Sequence, residues 1–138
     1  MSRAVLAAAL LALAGCGPQP PAVSPDTGAA DTARAFFEGL VRHDSRAAYD
    51  ALDAESRARV PFEQFAKLAE GHAKMVGFPA ERVHVARVEE QGDDATARVE
   101  LAGKTAGHGR RFKDAVTLRR RDGRWGVVLA ENFGRPAR

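Results

Sequence analysis

Apolar positions recur in two different periods along the chain, and the change from one to the other divides it. From Asp31 onward, Ala33, Phe36, Phe37, Leu40 and Val41 follow the i, i+3, i+4, i+7, i+8 stripe of an amphipathic helix, with Asp31 as a candidate N-cap and an end near His43. Asp44 can cap a second, shorter helix carrying Ala48, Tyr49 and Leu52, with a further turn through Glu55 to Arg59. Pro61 suits the first turn of a third helix. In it Phe62, Phe65, Ala66, Ala69, Ala73 and Val76 share a face, and Glu63, Lys67, Glu70 and Lys74 lie mostly opposite. Gly77 and Pro79 stop it.

From Arg82 the period shortens to two. Val83 and Val85 stand on one parity and Val88 on the other, which requires a bulge near Arg87. Under simple alternation His84 and Arg87 then point to opposite faces. Gln91-Gly92-Asp93-Asp94 is turn chemistry. Ala95, Ala97, Val99 and Leu101 alternate with Thr96, Arg98 and Glu100. Gly103 to Gly109 reads as a loop, and Phe112, Val116 and Leu118 define a third strand. Asp122-Gly123 marks a tight hairpin before Trp125, Val127 and Leu129. Three helices followed by an antiparallel four-stranded meander is an α+β pattern, with the helices covering one face of the sheet.

Before Asp31 no core can be built. Gly17 to Ala30 reads GPQPPAVSPDTGAA, with four prolines between Gly17 and Pro25, and favours an extended tether at about 3.1 Å per residue. Ahead of it, Met-Ser-Arg and an unbroken apolar run from Ala4 to Ala14 have the parts of an export signal. The run is shorter than the roughly 20 residues that span a bilayer. Its end, Leu13-Ala14-Gly15-Cys16, resembles the lipobox of bacterial lipoproteins. That resemblance implies lipid on Cys16, cleavage before it, and a mature chain held at a membrane on the extracytoplasmic side of a bacterial cell envelope. The expected organisation is a signal peptide over 1–15, a lipidated Cys and Pro-rich tether over 16–30, a folded domain over 31–133 and a tail over 134–138.

Composition narrows the chemistry. With a single cysteine among 138 residues, internal disulfides and cysteine-based zinc sites are excluded. The net charge of +3 is unevenly spread: Lys104 to Arg124 holds eight Lys/Arg against two acids. Near a membrane the available anions are phospholipid headgroups or envelope polymers. The basic stretches Arg110-Arg111 and Arg119-Arg120-Arg121 have only Phe112 and Trp125 as stacking partners, and an exported protein rarely meets nucleic acid, so that ligand class is set aside.

The order of elements, with Ala33, Phe36-Phe37, Leu40, Asp44, Ala47-Ala48-Tyr49, Leu52, Phe62, Phe65 and the Asp122-Gly123-Arg124-Trp125 turn, resembles the nuclear transport factor 2-like superfamily over about Asp31 to Phe133. The resemblance implies a curved sheet wrapped around a long helix, a pocket at the open end of the cone, and often a homodimer through the sheet. Isomerases of that superfamily use a carboxylate base together with a tyrosine and a protonated acid. Where their tyrosine belongs, on the first helix, this chain has Phe36 and Phe37; its only tyrosine, Tyr49, is on the second.

Three residues are weak catalytic candidates. Asp114 shares the inward parity of Phe112 and Val116, or sits at a solvated edge if the strand starts at Ala115. His72 falls near the apolar stripe of the third helix, and Tyr49 is the third. His43, His72, His84 and His108 have no ligand spacing on a helix, so no metal is expected, and no cofactor either. Gly103-Lys104-Thr105 lacks the upstream glycine of a phosphate loop, since Arg98 stands there. The expectation is a lipid-anchored domain that binds a small apolar ligand or an envelope protein without catalysis. The alternative is an isomerase, dehydratase or cyclase-type enzyme acting on a small apolar substrate in the same pocket.

Overall fold

A computed structural model describes residue 17 and residues 25–136. The signal segment, Leu13, Ala14, Gly15, Cys16 and most of the tether lie outside the described residues. Four helices come first: α1 (Ala29–Val41), α2 (Ser45–Asp50), α3 (Ala54–Arg59) and α4 (Phe62–Val76). Four strands follow: β1 (Ala80–Gln91), β2 (Asp94–Thr105), β3 (His108–Arg121) and β4 (Arg124–Val128). They pair in sequence order as an antiparallel meander.

The helix boundaries follow capping chemistry. Helix α1 starts behind Gly28, at φ 117, a conformation that costs glycine nothing. Asp31 is therefore not the N-cap; it lies in the first turn, where a carboxylate still favours the helix dipole, and it pairs with Arg34 at 2.9 Å. Asp44 does cap α2, accepting from the Ala47 N–H. The turn expected through Glu55–Arg59 is a full helix, α3, because Asp53 caps it by accepting from the Ser56 N–H at 2.9 Å.

In the sheet the bulge falls where the alternation fails, between Val85 and Arg87. Its extra residue restores Arg87 to the face of His84, since they stand opposite Arg98 and Glu100, two residues apart on β2. Both are exposed on that face, not on opposite faces. The loop expected over Gly103 to Gly109 is a hairpin instead. Thr105 pairs with His108, and Ala106 (φ 50) and Gly107 (φ 80) form the left-handed pair of a two-residue turn that matches strand twist. Strand β3 thus begins at His108, and Asp114 sits in its middle, paired with Val99.

One face of the sheet is buried. Ala95, Ala97, Val99, Leu101, Leu118 and Val127 meet Ala33, Phe36, Phe37 and Leu40 of α1, and α1 contacts all four strands. Helix α4 packs against α1 and α2, adding Phe65 and Val76. The approach of α1 to α2 is close: a Cβ on Gly39 would lie 2.6 Å from the Ala48 nitrogen. Among the described residues no helix covers the other face of the sheet over β1 to β3.

Candidate functional site

The core is closed on one side by a feature that periodicity does not mark. After β4 the chain is steered by α3: the Ser56 hydroxyl accepts from the Leu129 N–H at 3.0 Å, and Arg59 donates to the Leu129 carbonyl at 2.6 Å. Two turns at Glu131–Gly134 follow, closed by Phe133 N–H to Ala130 O and Arg135 N–H to Asn132 O. They return the chain over α4. Contact there is backbone to backbone: a Cβ on Gly71 would lie 2.1 Å from the Gly134 oxygen, and one on Gly134 (φ +65) 2.0 Å from the Leu68 oxygen. Phe133 is thereby laid on the aromatic cluster, stacked on Phe65 with centroids 5.9 Å apart and on His72 at 5.1 Å.

Between α4, β3, β4 and this returning segment lies a cleft of about 400 Å³. Phe36 is among its inner residues, Phe112, Val116, Val127, Leu129 and Phe133 give it apolar walls, and Met75, the one exposed large hydrophobic side chain among the described residues, also lines it. The cleft falls within the 300–1,000 Å³ range typical of small-molecule sites.

Its polar element joins two of the sequence candidates. His72 from α4 and Asp114 from β3 meet through Nε2 and Oδ2 at 3.0 Å. The His72 side chain is 5% exposed and that of Asp114 29%. The other Asp114 oxygen accepts from the Ala115 N–H at 2.8 Å. A carboxylate only accepts, so this bond places a proton on Nε2 and fixes the tautomer of the neutral ring. Aromatic rings then hold the imidazole in place: Phe133 stacks on one side, Phe112 meets it edge-on at 6.1 Å and Phe37 lies 6.3 Å away. The result is one buried ring and one half-open carboxylate facing an apolar cavity.

Tyr49 is not part of this arrangement. Its hydroxyl lies 3.0 Å from the Arg57 carbonyl oxygen and 2.9 Å from that of Val60, so it ties α2 to α3 and the connection to α4. Phe36 and Phe37 are fully buried. His84 and His108 are exposed on β1 and at the start of β3, and His43 follows α1 in the left-handed region. Among the described residues no group of three or more His, Cys, Asp or Glu side chains is placed to hold a metal ion. No helix among them is long and apolar enough to cross a membrane. Phe133 and the glycine pair were not evident in the sequence, the only signal being Gly134 just after an aromatic residue near the chain end.

No protein-family model matches the chain, and no curated protein is significantly similar to it. Solved structures are. A protein of Campylobacter jejuni described as an NTF2-like transpeptidase superposes with a TM-score of 0.58 at 16% identity, over 72% of this chain and 96% of that one. A SEC-C motif containing protein from Rhodopseudomonas palustris gives a TM-score of 0.52 at 15% identity, over 71% and 73%. Four helices against an antiparallel curved sheet of four strands, with the cleft beside the inner helix, thus make this an α+β domain of the nuclear transport factor 2-like fold.

Proposed function

We propose that the domain binds a small, largely apolar molecule in the cleft, with the His72–Asp114 pair as its hydrogen-bonding end, and that Cys16 carries lipid tethering it to the cell envelope. The observation that supports the binding reading is the pair itself: two polar groups from distant elements converge on a cavity walled mostly by apolar side chains, with Thr117 and Asn132 as its other polar residues. A ligand with a planar apolar body and one hydroxyl or carbonyl fits that lining.

The test uses 2-naphthol as the probe, followed by its own fluorescence. Saturable one-to-one binding is expected, lost in Val116→Trp, whose indole fills the cleft, and weakened at least about tenfold in Asp114→Leu, since a hydrogen bond to a charged group contributes about 1.5–3 kcal/mol. Unchanged binding in both variants would remove the cleft as the site.

One observation favours a second reading. An imidazole with a fixed tautomer, bonded to a half-exposed carboxylate in an apolar cavity, is suited to moving a proton. Asp114 would take a proton from a carbon next to a carbonyl, and His72 would hold the carboxylate in position. The hydroxyl that would stabilise the resulting enolate is missing at Phe36 and Phe37, and that of Tyr49 is engaged with the Arg57 and Val60 carbonyls, so binding without chemistry is the simpler role.

The anchor is supported by the apolar run and by Leu13-Ala14-Gly15-Cys16. Protein extracted from its host's membranes should show the intact mass of a chain starting at Cys16 plus acyl groups, and Cys16→Ser should abolish the addition. A full-length, unlipidated chain in the soluble fraction would refute it.

A further inference from the structure

The uncovered face of the sheet carries an unbalanced charge. Its exposed side chains around the β2–β3 hairpin include Arg82, Arg98, Lys104, Arg111 and Lys113, with Arg110 beside them at the hairpin end on the other parity, opposite Gly103. The nearby acids are Glu100, which pairs with Arg111 at 3.3 Å, Glu81 in the irregular start of β1, and Asp114, which borders the surface next to Lys113 and is engaged with His72. Six arginines elsewhere are neutralised, while Arg46, Arg57, Arg59, Arg124 and Arg135 are scattered over other elements without a carboxylate partner among the described residues. Arg34 pairs with Asp31, Arg42 with Glu38, Arg87 with Glu89, Arg119 and Arg121 with Glu55, and Arg120 with Asp93. Among the described residues no carboxylate lies within ion-pair distance of Arg82, Arg98, Lys104, Arg110 or Lys113.

Small residues lie between these cations. Ala102 and Ala115 stand directly across from Arg111 and Arg98, and Gly109 from Lys104. Two open depressions, of about 370 and 530 Å³, run over this surface and share Glu100 at their border. One is edged by Arg82, Arg110 and Arg111, the other by Arg98 and Lys113. The patch offers no Phe, Tyr or Trp for stacking a base, His84 being its one ring: Phe112 faces the cleft, and Trp125 lies at the other end of the sheet, bonded to Thr27.

From this charge pattern we infer that the outer face of β1–β3 docks on an anionic phospholipid surface, spreading its free cations over the headgroups. The inference rests on the tethered reading above. Thr27 fixes where the tether leaves the domain, through bonds to Glu90, Arg120 and Trp125. That point lies at the β1–β2 and β3–β4 turns, a strand length of about 40 Å from the basic hairpin. An extended tether from Cys16 reaches roughly 35 Å, enough to let the sheet lie flat while its edge stays attached. Tethering keeps the face near the bilayer, so weak contacts add up. A second copy is a poor occupant, because two such faces repel.

The test takes the full chain as Cys16→Ser, without lipid, and measures partition onto vesicles of phosphatidylglycerol with phosphatidylcholine against phosphatidylcholine alone. The expected result is an excess on anionic vesicles that disappears at about 0.5 M salt. Combining Arg98→Thr, Arg111→Thr and Lys113→Thr should reduce that excess at least about tenfold. Arg→Lys replacements at 98 and 111 should retain it. The equal-charge control Arg57→Gln, Lys67→Gln, Lys74→Gln, on α3 and α4, should retain it as well.

Equal loss in the control, no anionic excess, equally tight binding of duplex DNA through the same residues, or a dimer formed through this face would each overturn the inference. Unlipidated protein in the host's soluble fraction would remove the tether while leaving the vesicle result to stand or fall by itself.

Discussion

Phe36→Ala should cost about 3–5 kcal/mol of stability and lower the melting temperature by roughly 15 °C or more. Phe36 is fully buried and touches three rings: Phe37 edge-on at 5.2 Å, Phe133 at 5.8 Å and Phe65 at 6.3 Å. These come from the inner helix, the returning C-terminal segment and the outer helix. Removing the ring therefore strips contacts from three elements and leaves a cavity continuous with the cleft. With total stability for a domain of this size about 5–15 kcal/mol, the variant is expected near the edge of folding at 37 °C. Denaturant unfolding followed by circular dichroism measures the loss; a change below about 1 kcal/mol would show that the ring is not at the centre of packing.

The second large effect is expected at a residue with no side chain. Gly71→Ala should be stabilising by helix propensity alone, by about 1 kcal/mol. Here the added methyl would meet the Gly134 carbonyl oxygen, so the returning segment must lift. That takes Phe133 away from Phe65 and His72 and opens the wall of the cleft. A net loss of about 1–3 kcal/mol is expected from overpacking, together with at least a tenfold loss of 2-naphthol binding. Gly109→Ala, where nothing lies within 4 Å of the new methyl, should be neutral within about 0.5 kcal/mol. If both variants behave alike, the returning segment that carries Phe133 is not what closes the site.

How far these features could be read in advance depended on how local their causes are. The helix stripes, the Asp44 cap, the bulge at Arg87 and the Asp122-Gly123 turn are encoded within a few residues of where they act. Such signals survive without tertiary information. The β2–β3 turn misled because Ala106 holds a left-handed position usually given to Asn, Asp or Gly, so glycines at 103, 107 and 109 looked like a loop. Without that turn the start of β3 is undefined, and Asp114 falls either on the inward face or at a solvated edge.

His72 and Asp114 were each visible as polar residues on or near an apolar face. Their meeting depends on how α4 crosses β3, with 42 residues between them, and no local pattern carries that. The returning segment with Phe133 was less legible still, since its position is set by Ser56 and Arg59 acting on Leu129 across about 70 residues. The basic hairpin was visible as a charge run. That Arg111 alone among its cations has a carboxylate partner, Glu100, emerges only from the pairing of strands.

The most direct measurement on the site is the nuclear magnetic resonance spectrum of the histidine rings during addition of 2-naphthol. The four histidines report from different places, and His72 alone pairs with Asp114 in the cleft. The account predicts saturable shifts in the His72 ring signals, with the same dissociation constant as the fluorescence titration, while His84 and His108 on the sheet stay unmoved. Shifts confined to His84 or His108, or an unchanged His72 under saturating probe, would contradict it and leave the His72–Asp114 pair a structural tie between helix and sheet.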